Sequence, residues 1–456
     1  MDKSDKYSFF TTGSISHIII SQAVPTIITM LVTSIYNIAD TFYVGRINTQ
    51  STAAVGVAFS LMAIIQGMGF FFGHGSGNFI ARRLGARDTD SATYMAATGF
   101  ILSLLVGILI AILGHIFLTP LCRILGATES ILPYTEDYLS VILLGAPLMT
   151  GSLTLNNQMR YQGNAVYSMI AIVSGAILNI AVAPIFIFTL GYGVKGAAIA
   201  TVICQAISFV LLVIMDRKGS NIKIDISKFR PNSFFLKEIA RGGSPSICRQ
   251  GLASVATLLL NVAAGAFGDS AIAAMTIVTR FSFFIFAFLI GFGQGYQPFC
   301  GFNYGAKLNS RVINGFWFCV KVGTIFLTSC SILAYIFAPN IIQAFRNAPD
   351  VISIGTVALR WQACVWPIVP VVTISNMLLQ TIRMSGRAVL IASARQGLFF
   401  MPLIFILPHL LGLEGVEICQ AVSDLLSFVL TLPIVIVVLH QLQANKTPNF
   451  TQSSNV

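Results

Sequence analysis

The sequence predicts an all-α integral membrane protein with twelve transmembrane helices in two pseudo-symmetric six-helix bundles. Three observations support this prediction: high hydropathy, a shortage of charge and an internal repeat. Hydrophobic residues make up 55% of the 456 residues, and the mean hydropathy is +0.82. Only 9% of residues are charged, whereas about a quarter are charged in soluble globular proteins. The ionisable side chains cannot cover a water-soluble surface of this size, so we expect no soluble domain.

Apolar runs alternate with polar or Gly/Pro-rich breaks along the whole chain. A membrane-spanning helix needs about 20 mostly apolar residues, and the runs are long enough to supply one helix each. We predict spans near 14–44, 52–81, 89–119, 131–157, 163–189, 195–215, 235–267, 270–300, 307–338, 350–378, 385–410 and 413–441. The predicted organisation is an amino-terminal lobe (1–216), a linker (217–234), a carboxy-terminal lobe (235–442) and a tail (443–456).

The basic residues predict the orientation of these spans. Connections that follow even-numbered spans hold 13 Lys and Arg residues, and those that follow odd-numbered spans hold 4. Because basic residues collect in cytoplasmic loops, we expect both termini, the linker and the tail in the cytoplasm. This topology also accounts for the net charge of +11, so we expect no nucleic-acid partner.

The two halves resemble each other at a nearly constant spacing. Pro25 and Pro245 are related by an offset of 220 in the numbering, as are Gly73-x-Gly75 and Gly293-x-Gly295. Two later pairs give offsets of 223 and 219: RYQGNAV with RMSGRAV (160–166 and 383–389), and Gly193 with Gly412. Six helices per half make this a parallel repeat, an architecture found in alternating-access transporters. A channel remains an alternative, although no filter motif or charged ring is apparent.

Three stretches carry a resemblance to a known family: YNIADTFYVGR (36–46), GHGSGNFIARRLGARD (73–88) and GFGQGYQPFCGFNYGAK (291–307). They resemble the multidrug and toxic compound extrusion (MATE) family, in particular its bacterial MepA-like branch. The resemblance covers residues 14–441 and implies two six-helix lobes in a bacterial plasma (inner) membrane. It also implies export of small molecules in exchange for H⁺ or Na⁺. The expected partners are drug-like small molecules and membrane lipids, and we expect a monomer.

Asp40 lies late in the first predicted span, and its counterpart in the second half of the repeat is Leu260. An ionisable residue within a span is by default a functional hypothesis. Desolvation favours the neutral form of a carboxyl group, so such an acid could bind and release a proton. The alternative is a carboxylate at a helix end, solvated by lipid headgroups.

The resemblance implies a cation-coupling site that joins Asp40 to Asn179 and Thr201. In similar proteins a second Asp precedes the proline of the fifth helix, but here that position is Ala183. A hard cation is normally held by several oxygen ligands. The missing acid therefore favours H⁺ over Na⁺, or an impaired variant. Taken alone, Asn179 and Thr201 would be helix-packing polar residues.

The second half carries basic residues within its predicted spans. Arg360 and Lys321 can reach the membrane surface, whereas Arg249 and Arg280 are expected to pair with Asp424, line an aqueous cavity or bind an anionic group. The predicted substrate-cavity residues are Tyr36, Asn37, Arg249, Gln250, Arg280 and Gln294.

The leading functional prediction is a cation-coupled exporter of small amphipathic molecules. The first alternative is a lipid-linked saccharide flippase of the same superfamily, in which buried arginines would bind a pyrophosphate. A membrane enzyme is disfavoured because no His/Cys/Asp cluster or paired carboxylates occur at catalytic spacing. We therefore expect no catalytic residues, no metal site and no cofactor apart from the coupling ion.

Overall fold

The structure, a computed structural model, describes residues 3–219 and 222–444, with side chains from residue 6 onward. The described chain is helical and contains no strand. Its α-helices are α1 (Lys3–Thr12), α2 (Ile15–Gly45), α3 (Thr49–Gly85), α4 (Thr89–Ile116), α5 (Leu118–Ile124), α6 (Leu132–Tyr161), α7 (Ala165–Pro184), α8 (Gly193–Gly219), α9 (Ser233–Gly265), α10 (Asp269–Gly305), α11 (Asn309–Ile336), α12 (Ala338–Phe345), α13 (Pro349–Val365), α14 (Val369–Thr381), α15 (Ser385–Ser393), α16 (Phe400–Leu411) and α17 (Leu413–Gln443).

Twelve helical stretches of the described chain are long and apolar enough to cross a membrane, which confirms the predicted spans. Three of them are interrupted: α7 continues as a π-helix (Ile185–Thr189), a 3₁₀ turn (Trp366–Ile368) joins α13 to α14, and a π-helix (Ala394–Leu398) joins α15 to α16. We call α2–α8 the amino lobe and α9–α17 the carboxy lobe. Within the predicted linker, residues 217–219 complete α8 and residues 220–221 lie outside the described residues, as do 445–456 of the predicted tail.

The amino-terminal helix α1 was not predicted, because its ten residues are too few and too polar to span a membrane. It bridges the two lobes. Lys6 donates a hydrogen bond to the Gly219 carbonyl, 2.5 Å away, and Arg311 donates one to the Gly13 carbonyl at 2.6 Å. The Phe10 ring stacks on Phe302, with 4.5 Å between the ring centroids. Partial burial lowers the pKa of Lys6 to about 8.

The helix ends correct the register of the repeat. Arg87 and Lys307 both have φ of 61°, and Gly163 (81°) and Arg383 (71°) share the same left-handed conformation. Both pairs are related by an offset of 220 in the numbering, so the offset of 223 predicted for the later motif is wrong. That prediction aligned Gly163 with Gly386, but Gly386 lies inside α15. The left-handed residue after a helix is usually glycine, and here Arg383 takes that place.

With the corrected register, two pairs of polar residues become equivalent. Arg160 corresponds to Gln380 and His74 corresponds to Gln294. All four side chains are buried. The repeat therefore places polar groups at matching positions in both lobes.

The two lobes contact each other at one end through glycines. A Cβ atom on Gly75 would lie 2.4 Å from the Ile239 carbonyl oxygen, and one on Gly85 would lie 2.1 Å from that of Phe302. On the opposite lobe, a Cβ atom on Gly305 would lie 2.0 Å from the Arg82 carbonyl oxygen. Only residues without a Cβ allow the backbones to approach this closely.

Ion pairs reinforce the same end of the molecule. Glu238 of α9 is 3% exposed and lies 3.1 Å from Arg82 of α3 and 2.5 Å from Arg383, which follows α14. Arg82 also donates a hydrogen bond to the Thr381 carbonyl at 2.7 Å. At the opposite end of α2, a Cβ atom on Gly45 would meet nothing within 4 Å. The lobes are therefore closed at the end that carries the linker.

The contact at Gly85 can be tested by adding one methyl group. Gly85→Ala should force α3 and α10 apart and lower the thermal stability of the purified protein, by about 1–3 kcal/mol for an overpacked contact. The matched control is Gly45→Ala, because Gly45 is also the last residue of its helix but faces open space. Equal melting temperatures for the two variants would show that the lobes do not depend on this contact.

Candidate functional site

A cavity of about 370 Å³ lies between the two lobes. Helices α2, α3, α6, α7 and α8 line it from the amino lobe, and α9 and α10 line it from the carboxy lobe. Five of the six predicted cavity residues are part of this lining: Tyr36, Asn37, Arg249, Gln250 and Gln294.

The prediction for Arg280 is corrected by the structure. The α10 residues that line the cavity include Phe283, Ala287 and Gln294, which share one helix face. Arg280 continues this face by one turn, but its side chain is exposed and lies beyond the lining.

Several polar lining residues were missed in the sequence. Thr26, Thr29 and Thr33 of α2 all line the cavity, and so do Gln66 of α3 and Asn156 of α6. The three threonines recur at intervals of three and four residues in an otherwise apolar helix, which marks one helical face. This periodicity in the sequence could have identified the three threonines as one polar face of α2.

Arg160 lies between the predicted spans 131–157 and 163–189 and was therefore counted among the loop residues. In the structure it is buried near the end of α6 and lines the cavity. Its guanidinium donates hydrogen bonds to Asn157 Oδ1 at 2.7 Å and to the side-chain oxygen of Gln294. Arg160 also lies 3.3 Å from His74 Nε2. Since a guanidinium only donates, this contact makes Nε2 the acceptor and places the His74 proton on Nδ1.

The same polar network continues into the carboxy lobe. His74 Nδ1 is 2.8 Å from Ser246 Oγ, and Gln380 Nε2 donates to the same oxygen at 2.8 Å. Gln380 also donates to the Gly242 carbonyl at 2.7 Å. Hydrogen bonds thus connect α3 and α6 of the amino lobe with α9, α10 and α14 of the carboxy lobe. They form the polar floor of the cavity.

The predicted coupling residues lie at the amino-lobe wall. Asn179 Nδ2 and Thr201 Oγ1 are 3.4 Å apart, and both residues line the cavity. Tyr36 also lines it, and Asp40 follows Tyr36 by one helical turn on α2. Asp40 is 5% exposed and lies behind this lining. The structure therefore places Asp40 near the cavity without making it part of the surface.

Two oxygens at this wall have no hydrogen-bond donor among the described residues: Asp40 Oδ1 and Asn179 Oδ1. Burying an unpaired acceptor is costly, and more so when it is charged. Protonation of Asp40 or binding of a cation would relieve this cost. Ala183 is fully buried and supplies no further oxygen side chain. No group of three or more His, Cys, Asp or Glu residues suited to a metal ion occurs within residues 3–219 and 222–444.

The carboxy lobe pairs its membrane acid with a different arginine than predicted. Arg395 binds Asp424 through two hydrogen bonds of 2.6 and 3.1 Å, and Gln420 donates a third at 2.8 Å. The predicted alternative of pairing Asp424 with Arg249 or Arg280 is therefore wrong. Arg249 instead lines the cavity.

Comparison with known proteins gives consistent matches over most of the chain. The sequence model of the MatE family matches residues 25–185 and 245–406. The multidrug export protein MepA of Staphylococcus haemolyticus (strain JCSC1435) is 27% identical over 426 residues, which cover 91% of this chain and 92% of the relative.

Two solved structures are similar over their full length. One is an outward-facing conformation of a multidrug resistance MATE family transporter of the MOP superfamily, with a TM-score of 0.89, 26% identity and coverage of 95% of this chain and 97% of that chain. The other is a MOP superfamily transporter from Pyrococcus furiosus Vc1 (DSM3638), for which reverse polarity of the binding pocket suggests a different function. Its TM-score is 0.90 at 26% identity, with coverage of 96% and 98%.

The matched segments include one stretch from each lobe and together make up more than half of the chain. The twelve spans, the repeat and the central cavity agree with these matches. This multi-pass membrane protein therefore belongs to the MatE (MATE) family.

Proposed function

We propose that the protein is a multidrug efflux transporter that exports small amphipathic molecules in exchange for H⁺ by alternating access. The observation that carries this proposal is the cavity between the two repeat-related lobes, with the buried Asp40 behind its wall. The relative in Staphylococcus haemolyticus is named a multidrug export protein, and a similar structure is a multidrug resistance transporter.

The closed end of the lobes supports an alternating-access cycle. Gly75 and Gly85 hold this end together, and the basic connections favour a cytoplasmic position for the same end. The structure then represents the state with its cytoplasmic side closed. Release of these contacts, with new contacts at the opposite ends of the helices, would give access from the cytoplasm.

Protons are favoured over Na⁺ as the coupling ion. Among the described residues, Asp40 and Asn179 together offer two oxygens without a hydrogen-bond donor, and Ala183 supplies none. A hard cation is normally bound by more oxygen ligands than this. A proton needs only one acceptor. Loading a proton on Asp40 would remove the buried charge and change the balance between the two access states.

We further propose that the protein lies in the bacterial plasma membrane with both termini in the cytoplasm and acts as a monomer. Its only partners would be substrates and lipids. This topology follows from the distribution of Lys and Arg residues in the loops.

The proposed role of Asp40 predicts the effect of replacing its titratable carboxyl group. Asp40→Asn preserves the size of the side chain but cannot titrate, so efflux driven by a pH gradient in proteoliposomes should fall to the background rate. Asp137→Asn, which changes an exposed carboxylate, should transport normally. Full activity of the Asp40→Asn protein would exclude this residue as the coupling acid.

The proposed topology predicts opposite labelling of two exposed positions. Ile226 of the linker is 72% exposed, and Glu129, between α5 and α6, has an 81% exposed side chain. A membrane-impermeant maleimide should label Ile226→Cys only in inverted vesicles and Glu129→Cys only in intact cells, above the baseline of the unsubstituted protein. The reverse pattern would invert the proposed orientation.

The missing second acid predicts a change in ion use. Residue 183 lies one helical turn after Asn179, so Ala183→Asp should add a second carboxylate on the same face. We expect either Na⁺-dependent transport or a shifted pH optimum, because a second nearby acid changes proton affinity. Ala183→Asn, of similar size but uncharged, should show neither effect. If the acidic variant is expressed and behaves like the asparagine variant, residue 183 does not act with Asp40.

A further inference from the structure

The charged side chains among the described lining residues of the cavity are all positive. Among the described residues that line it, Arg160 and Arg249 are the charged ones, and no Asp or Glu contributes to the surface. A cationic ligand would meet no anionic partner there and two like charges. The remaining lining combines hydroxyl and amide groups with apolar side chains such as Met62, Phe70 and Phe283.

Arg160 already has partners within the protein. It donates to Asn157 and Gln294, approaches His74 and packs over the Tyr161 ring at 5.4 Å. Its side chain is buried, and the residue is 3% exposed. Arg160 therefore belongs to the polar floor and already makes three hydrogen-bond contacts within the protein, although its buried Nε has no partner among the described residues.

Arg249 has a different environment. NH1 donates one hydrogen bond, of 3.3 Å, to Asn376 Oδ1, and no described acid lies within ion-pair distance of its guanidinium. Asn376 is itself fixed, because its Nδ2 donates to the Ala388 carbonyl at 2.7 Å. A guanidinium carries five N–H donors. Asn376 orients Arg249, and most of the other donors have no hydrogen-bond partner among the described residues.

The repeat shows that this positive charge is specific to one lobe. The counterpart of Arg249 in the first half of the repeat is Thr29, which lines the amino-lobe side of the cavity. An arginine within a membrane span is costly unless it is paired or solvated. Arg395 is paired with Asp424, and Arg160 is held by several polar groups of the floor. Arg249 instead presents its charge to the cavity.

We propose that the transported molecule carries a carboxylate or phosphate group, which binds the Arg249 guanidinium while its apolar part lies against the aromatic and aliphatic lining. This inference rests on the proposed function, since it assigns the substrate class of the same cavity. Guanidinium groups match the geometry of carboxylate and phosphate and bind them through two parallel hydrogen bonds. Ser246 and Gln250, one helical turn or less away on α9, add polar side chains around the anion.

Two sources can supply this chemistry: a soluble amphipathic anion or an anionic lipid headgroup. For the soluble source, the probes are fluorescein and rhodamine 123, two xanthene dyes of similar size and opposite charge. The purified full-length protein should bind fluorescein more tightly and export it from proteoliposomes under a pH gradient. For the lipid source, the probe is transbilayer movement of a fluorescent phosphatidylglycerol.

The decisive variant is Arg249→Gln. Loss of a charge-assisted pair should weaken fluorescein binding by about tenfold to a hundredfold, and Arg249→Lys should restore part of it. Arg280→Gln, at the exposed arginine one turn beyond the lining, should bind like the unsubstituted protein. Unchanged melting temperatures would show that Arg249→Gln has folded, and the lysine variant provides the test if it has not.

The outcomes separate this inference from the exporter function. If rhodamine 123 is exported and fluorescein binding is weak or unaffected by Arg249→Gln, the anionic substrate class is wrong and the exporter stands. If only the lipid moves, and Arg249→Gln stops it, the anionic class holds with a lipid source and the soluble-drug exporter fails. If neither dye nor lipid moves, or if only the lipid moves and its movement is insensitive to Arg249→Gln, both the function and the substrate class are overturned.

Discussion

The close backbone contact between the lobes is the constraint on which the rest of the structure depends. At Gly75, Gly85 and Gly305 the opposing carbonyl oxygens lie 2.0–2.4 Å from the position of a Cβ atom, which leaves no room for one. Lipid tails are as apolar as the helix surfaces, so helices associate in a membrane through close packing and polar contacts rather than through hydrophobic burial. This contact closes one end of the molecule and leaves the cavity between the lobes.

Polar groups then make the closed end specific. The hydrogen bonds from Arg160 to Gln294 and between His74 and Ser246, and the ion pair between Arg82 and Glu238, cross between the lobes. His74, Ser246 and Glu238 are buried, and separation of the lobes would remove a partner from each of them unless water entered. The closed and open states must therefore differ in hydration as well as in packing. Such a cluster favours two discrete arrangements over a continuous range.

The sequence predicted the spans well because hydropathy and helix length depend on local composition. The coupling candidates Asn179 and Thr201 came from the family resemblance, and the structure brings them together; their role stays a prediction. Arg160 was placed in a loop because its burial depends on partners that are distant in the chain, on α3 and α10. The position of Arg280 relative to the end of the cavity, and the packing of α1 against both lobes, likewise depend on tertiary contacts. The predicted offset of 223 was wrong because it aligned Gly163 with Gly386 by residue type. The left-handed conformation of Gly163 recurs instead at Arg383.

The duplication accounts for the shared fold of the two lobes. The residues proposed to bind the proton and the substrate, however, differ between the two halves of the repeat. Asp40 has Leu260 as its counterpart, and Arg249 has Thr29. The acid and the base therefore lie on α2 and α9, the first spans of the two lobes, which also carry the equivalent Pro25 and Pro245. Proline within a helix removes a hydrogen bond and permits bending. Because Arg249 lies one turn after Pro245, a change in the bend of α9 would move its guanidinium relative to Asn376. In the proposed cycle, this symmetric scaffold carries a proton site in one lobe and a ligand site in the other, and relative motion of the lobes would change both together.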